Sequence, residues 1–370
     1  MNHALKATYV AGFGSMIVAL AALSTPNFSG FQATADSSVI EGQYTSQLER
    51  HYDKTFPVKT LGTNVWATID YLLFNEGRPG VVVGEQGWLY TSEEIAPIEQ
   101  GEIHLQENLA LVQEISHWLQ ARDIELVVAV IPAKTRLYNE HLGNHQPAQI
   151  HQQLYTRFHT ALAEQHILAP DFLDVMREQK ASTPLFLKTD THWSPEGADF
   201  VAQTLAVRLR QQGWIEPAQT FITESLEQIV HKGDLLSYIP MDPWFSDWMP
   251  GSDTLIPRKT FESVAAAPAE DSLFGDESTG ITLVGTSYSA NSLWNFAGAL
   301  MQHLGASLVN HAEEGKGPLL PMLTYLSSEA FANEPPQVII WEFPERYLPV
   351  KNDFSGIDAQ LLAQLRQPQG

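Results

Sequence analysis

Apolar and polar positions change rhythm three times along the chain. Residues 7–24 (ATYVAGFGSMIVALAALS) are uncharged and mostly apolar, with Lys6 just before them. Residues 25–45 are polar and resemble a linker, and residues 46–76 predict helix with turns. From Gly80 the signals alternate. Val81-Val82-Val83 suits a short strand, and Leu105 to Arg122 has the spacing of an amphipathic helix. Glu125 to Ile131 is a near-continuous apolar run that stops at Pro132, as expected of a strand buried on both faces. A helix is predicted from about Ala148 to Gln165. Another opens at Ser194-Pro195 and runs to about Arg210, with Phe200, Val201, Leu205 and Leu209 on one stripe. Ile281 to Val284 and Gln337 to Trp341 are two more buried-strand candidates, and Ala290 to Met301 has helical spacing. Strands alternating with helices predict an α/β fold in three layers, a central parallel sheet with helices on both faces.

Residues 214–278 interrupt that rhythm with many Pro, Asp, Ser and aromatic residues, including Trp244, Phe245 and Trp248. A long irregular insertion in a compact domain is often a lid or functional loop. Its aromatic rings either stack on a sugar or pin the loop to the core, and pinning is the commoner use. The expected organisation is a signal or membrane-anchor segment at 1–25, a linker and helical region at 26–75, a main domain at 76–352 and a tail at 353–370.

Composition narrows the setting. Residues 7–24 sit at the lower limit for a spanning helix and are long for the core of a signal peptide, and either use exports the remainder of the chain. Ala22-Leu23-Ser24 is a tolerable cleavage site. The chain has no cysteine, which removes thiol chemistry and disulfides. A formal net charge of −22 argues against nucleic acid and anionic membrane surfaces as partners. It also sits awkwardly with unaided binding of a polyanion.

The candidate chemistry lies in two short segments. Asp190 and His192, in Lys188-Thr189-Asp190-Thr191-His192-Trp193-Ser194-Pro195, precede a helix and are expected in extended chain, where i and i+2 side chains point the same way. There Asp190 can accept the Nδ1 proton of His192 and leave Nε2 free as a base. A solvated Asp-x-His loop is the plainer alternative. A metal site is less well supported, because no cysteine and no third ligand at helical spacing accompany the pair. Ser287, in Gly285-Thr286-Ser287-Tyr288-Ser289, stands where a strand ends and a helix begins, so its hydroxyl would lie among unpaired backbone N–H groups. A serine there, Ser287 or Ser289, also serves commonly as a plain helix cap. Gly315-Lys316-Gly317 lacks the spacing of a phosphate loop.

Both segments resemble those of the periplasmic alginate O-acetyltransferases of the AlgJ/AlgX type, an SGNH-hydrolase-like family. The resemblance extends through Gly84-Glu85-Gln86-Gly87-Trp88-Leu89-Tyr90, Ile131-Pro132-Ala133-Lys134, Lys232-Gly233-Asp234-Leu235 and Trp341-Glu342-Phe343-Pro344-Glu345-Arg346-Tyr347. It implies a circularly permuted SGNH-like fold and a catalytic triad of Ser287, His192 and Asp190. It also implies transfer of acetyl groups to mannuronate hydroxyls of alginate, with the acetyl handed over by a membrane O-acyltransferase partner. No organic cofactor or metal is implied, and the expected location is the periplasm beside the inner membrane. Only some two dozen residues follow Tyr347, which leaves no room for the extra carbohydrate-binding module of AlgX-type relatives and points to the AlgJ-like form. The oxyanion donors beyond the Ser287 turn are unassigned. Asn291 and Asn295 follow closely, and Lys134 and Arg346 are candidates for a uronate carboxylate or for ordinary surface pairing. An esterase of the same fold, or a non-catalytic polysaccharide-binding component of an export complex, are the alternatives.

Overall fold

The computed structural model describes residues 3–34, 38–56, 58–263 and 280–367. Residues 264–278 of the irregular stretch, 35–37 of the linker and 368–370 of the tail lie outside the described residues. The chain divides into two compact units, Met1–Arg78 with Ile239–Met249, and Pro79–Tyr238 with Pro250–Gly370.

The first unit holds three helices, α1 (His3–Ser29), α2 (Gln43–Thr55) and α3 (Lys59–Ile69), the last continued by a π-helical turn at Asp70–Phe74. Within α1, the 22 residues Leu5–Pro26 are long and apolar enough to cross a membrane. That composition fits an anchor or a signal sequence. Asn64 on α3 donates from Nδ2 to the Pro240 carbonyl at 2.6 Å, which ties the 239–249 segment to this unit. Trp244 and Trp248 are 62% and 56% exposed, so they do not pin the segment as expected. Phe245 and Trp248 stack on each other instead.

The second unit opens with the hairpin β1 (Val81–Val83) and β2 (Leu89–Thr91), then α4 (Gly101–Gln120), β3 (Glu125–Ile131), α5 (Leu154–Glu164) and α6 (Pro195–Gln212). Next come β4 (Phe221–Ser225), β5 (Ile229–His231), β6 (Asp253–Leu255) and β7 (Arg258–Glu262). The chain continues through β8 (Ile281–Val284), α7 (Ser287–Ala290), α8 (Phe296–Leu304), β9 (Val309–Asn310), α9 (Leu319–Leu326), β10 (Val338–Pro344) and α10 (Ala359–Leu365). The main sheet has the order β3-β10-β8-β9 with every pair parallel.

Alternation along the strands feeds two cores. Val127, Ala129, Ile131, Leu283, Val338 and Ile340 pack with Val201, Leu205 and Leu209 of α6 and with Phe296, Leu300 and Leu304 of α8. Their neighbours Leu126, Val128, Val130, Val284, Ile339 and Trp341 pack with residues of α4, α5, α9 and α10. Each fully buried aliphatic or aromatic side chain contributes about 1.5–3 kcal/mol, so covering both faces is what holds this small parallel sheet. The three-layer α/β expectation is met.

Local differences have identifiable causes. The helix expected at 290–301 is broken: α7 is a single turn, and Asn295 takes a left-handed φ of 54° before α8 starts. The helix expected at 148–165 splits at Gln153. The stretch expected to be irregular contains two antiparallel ribbons, β4 with β7 and β5 with β6.

Candidate active site

The Asp190 loop is built from backbone anchors. A bridge between Phe186 and Trp193 closes its base, and the Ser194 hydroxyl caps α6 by accepting the Gly197 N–H at 3.0 Å. Between them the chain bends rather than extends, contrary to expectation. The cause is local: Asp190 Oδ1 accepts the backbone N–H of His192 at 2.9 Å, which folds the chain back on the carboxylate. Asp253 accepts the N–H groups of Lys188 and Thr189 at 2.8 and 2.9 Å, and Asp234 accepts the Thr191 N–H at 2.8 Å. A Cβ on Gly233 would collide with the Thr189 carbonyl oxygen, so only glycine fits beside the loop.

Lys134 is buried and gives all three of its ammonium protons to carbonyls: Leu89 at 2.6 Å, Lys188 at 2.9 Å and Asp190 at 2.8 Å. Burial pushes its pKa down to about 8. Neither use left open by the sequence for Lys134 and Arg346, a uronate contact or ordinary surface pairing, matches their burial. Arg346 is also buried, donates to the Tyr288 hydroxyl at 2.9 Å and lies beside Glu93 and Glu94. The sequence did not show these roles because a charged residue is rarely buried without partners, and the partners here are distant in sequence.

The Ser287 turn is fixed from the neighbouring strand. Glu342 on β10 is fully buried and accepts from the Thr286 N–H at 2.7 Å, from the Thr286 hydroxyl at 3.0 Å and from the Ser289 hydroxyl at 3.1 Å. Burial raises its pKa to about 7. Thr286, not either serine, is the N-cap of α7. Gly285 is required here, since a Cβ would meet Glu342 Oε2 at 2.5 Å. Asn291 and Asn295 serve the turn rather than the centre: Asn291 accepts the Leu293 N–H, and Asn295 donates to Thr260.

These supports bring residues 95 positions apart into line. His192 Nδ1 lies 2.6 Å from Asp190 Oδ1, and His192 Nε2 lies 2.7 Å from Ser287 Oγ. The His192 side chain is 14% exposed and that of Asp190 is 3% exposed, so the base meets solvent while its carboxylate does not. Trp294 stacks on the imidazole at 5.3 Å. The Tyr288 hydroxyl donates to the Thr191 carbonyl at 2.6 Å and joins the two segments.

A second histidine completes the carboxylate. His231 Nε2 lies 2.7 Å from Asp190 Oδ2, which also accepts the Asp234 N–H at 3.1 Å. Burial opposes ionisation of Asp190, but the hydrogen bonds from His192 and His231 outweigh it and hold the carboxyl well below the usual range. The same bond to Asp190 raises the pKa of His231. Chemically, the arrangement can hold His192 in one tautomer and take the Ser287 proton at Nε2.

Asp234 stands near Asp190 and His192, so three potential metal ligands cluster. Their atoms are already engaged: Asp234 Oδ2 accepts the Thr191 hydroxyl at 2.5 Å, and both Asp190 oxygens and both ring nitrogens of His192 have partners. Sequence reasoning missed His231, Asp234, Asp253 and Glu342 as parts of the centre. Only the resemblance through Lys232-Gly233-Asp234-Leu235 and Trp341-Glu342 hinted at two of them.

Comparison with known proteins gives a consistent placement. The family profile described as "SGNH hydrolase-like domain, acetyltransferase AlgX" matches residues 81–345. The probable alginate O-acetylase AlgJ of Pseudomonas aeruginosa is 48% identical over 378 residues, covering 100% of this chain and 96% of that protein. Its counterpart in Pseudomonas syringae pv. tomato is 46% identical over 368 residues, covering 99% and 94%. Among solved structures, the O-acetyltransferase domain of Pseudomonas putida AlgJ superposes with a TM-score of 0.71 at 46% identity, over 78% of this chain and 99% of that one. Pseudomonas aeruginosa AlgX superposes with a TM-score of 0.55 at 25% identity, over 73% and 63%. With the SGNH-like α/β fold and near-full-length relatives in agreement, the chain belongs to the AlgX family of SGNH hydrolase-like acetyltransferases.

Proposed function

We propose that the chain is an exported O-acetyltransferase that places acetyl groups on mannuronate hydroxyls of alginate, with Ser287 as the transient acetyl carrier. The observation that carries this is the continuous relay from Asp190 through His192 to Ser287 Oγ, with links of 2.6 and 2.7 Å. The relatives' names, which specify alginate O-acetylation over nearly the whole length of the chain, support the substrate.

In the first half-reaction Ser287 Oγ attacks the carbonyl carbon of an acetyl donor while His192 Nε2 takes its proton. The tetrahedral intermediate collapses, His192 returns the proton to the leaving group, and acetyl-Ser287 remains. In the second, His192 takes a proton from a sugar hydroxyl, the sugar oxygen attacks the acetyl carbon, and the proton passes to Ser287 Oγ as it leaves. Asp190 stays ionised throughout and stabilises the imidazolium; its depressed pKa suits that task. The first N–H of the turn, that of Ser287, has no protein acceptor among the described residues and is one donor for the oxyanion.

The donor in this proposal is an acetyl ester presented by a membrane O-acyltransferase, and the centre faces the periplasm with residues 1–25 as the anchor or signal. Residues 76–352 would then form the catalytic domain. The test is incubation of the full-length protein with an activated acetyl ester, with and without oligomannuronate. Acetylated oligomer and a transient acetyl-enzyme are the expected products. Free acetate alone, whatever the acceptor, would assign an esterase instead. No donor cleavage and no acyl-enzyme would favour a binding component.

A further inference from the structure

Helix α3 and the π turn after it are inside out. Asn64 and Thr68 are buried, Asn64 against the Pro240 carbonyl and Thr68 against the Asn64 carbonyl at 2.7 Å. Outward point Leu61, Val65, Trp66, Leu72, Leu73 and Phe74, with Trp66 66% and Leu73 73% exposed. At 3.6 residues per turn, Leu61, Val65 and Trp66 of α3 fall within an arc of roughly 140°, and Leu72, Leu73 and Phe74 of the π turn extend the exposed apolar set. Single exposed apolar residues are ordinary, but a continuous face of this kind marks a binding surface.

We infer that this face of α3 and the π turn lies in the boundary layer of the bilayer that α1 crosses, holding the N-terminal unit flat against lipid. The inference rests on reading Leu5–Pro26 as a membrane span. Three observations choose lipid over a protein partner. First, the exit of the span is tied to α2: Phe31 packs on the rings of Tyr44 and His51, each at 5.4 Å, and Gln47 bonds to Thr34. Helix α3 follows α2 after three residues, and Lys59 at its start pairs with Asp53 on α2. The apolar face is thus continuous with the membrane-crossing element of the same unit.

Second, the acidic excess of the protein is absent from this region. Residues 43–74 contain Arg50, Lys54 and Lys59 against Glu49, Asp53 and Asp70, a net charge of zero. A chain of net −22 therefore approaches a phospholipid surface with its neutral part. Third, the exposed set combines aliphatic residues with a tryptophan and a phenylalanine, the composition of helices that lie in the interfacial plane.

The absence of cysteine makes the test direct, since one introduced cysteine is the only labelling site. Full-length Leu73→Cys, Val18→Cys and Gln212→Cys proteins, each carrying an environment-sensitive fluorophore, would be reconstituted in vesicles of phosphatidylethanolamine and phosphatidylglycerol. Nitroxide-bearing lipids report depth by quenching. The expected result is a blue-shifted Leu73 label quenched by shallow nitroxides, a Val18 label quenched by deep ones, and an unquenched Gln212 label. A solvent-like Leu73 label beside a quenched Val18 label would overturn the docking while leaving the span intact. Failure of both to be quenched would remove the span itself, and the docking with it. A blue-shifted Leu73 label that lipid nitroxides do not quench would mean that a second copy or another protein covers the face, which also overturns it.

Discussion

The carboxylate of Glu342 accepts the Thr286 N–H at 2.7 Å, from the strand beside the one that ends at the Ser287 turn. Among the described residues no other side chain holds that turn at three points. Removing it in Glu342→Ala leaves a buried N–H and two hydroxyls without their acceptor, at about 1–3 kcal/mol for an unsatisfied buried donor. The variant should melt earlier and acylate Ser287 more slowly with an activated ester. Ser289→Ala removes only one of the three bonds and should keep most activity. Equal acylation rates in Glu342→Ala and the wild type would show that the turn keeps its shape without the carboxylate.

Lys134 should behave as a staple of the Asp190 loop. Lys134→Met retains the length of the side chain but abandons the carbonyls of Leu89, Lys188 and Asp190 together. Hydrogen bonds to a charged donor are individually worth about 1.5–3 kcal/mol, so a loss of about 3 kcal/mol or more is expected in chemical denaturation. A change below about 0.5 kcal/mol, within the scatter of surface substitutions, would contradict the burial of this ammonium group.

The His231 to Asp190 bond predicts a pH signature. The folded state raises the pKa of His231 above its ordinary 6.5, so the bond's contribution is full below that value and is lost as pH rises through the raised one. His231→Gln should therefore lower the melting temperature clearly at about pH 6 and less at about pH 9. The depressed pKa of Asp190 works in the opposite direction. Its contribution is present above the ordinary value of 3.8 and fades only as pH falls towards the lowered one. An equal loss in His231→Gln at both pH values would mean that the imidazole does not charge against Asp190.

The parts of the fold and centre that were legible in the sequence are the local ones. Asp190 with His192, and Gly285 with Ser287, are short-range patterns, and the strands around them are apolar runs readable without a structure. The fold class came from the same runs. The supports were not legible. His231 meets Asp190 across 41 residues, Lys134 meets the Asp190 carbonyl across 56, and Glu342 meets Thr286 across 56. A polar side chain with a distant partner leaves no periodic signal. The extended geometry expected for 190–192 failed because a carboxylate can capture the N–H two residues on, which competes with an extended backbone. The continuous helix expected after Ser287 failed at Asn295, whose left-handed conformation breaks the pattern although the apolar spacing runs through it.

The central claim is that Ser287, aligned by His192 and Asp190, carries the acetyl group. Ser287 and Ser289 lie two residues apart, yet Ser287 Oγ points to His192 Nε2 and Ser289 Oγ to Glu342. The most direct measurement is peptide mass spectrometry of the protein quenched during turnover of an activated acetyl ester, run on the wild type, Ser287→Ala and Ser289→Ala. The account predicts an added acetyl on Ser287 in the wild type and in Ser289→Ala. It predicts none in Ser287→Ala, with the melting temperature of that variant nearly unchanged. Acetyl found on Ser289, or full transfer activity in Ser287→Ala, would contradict it.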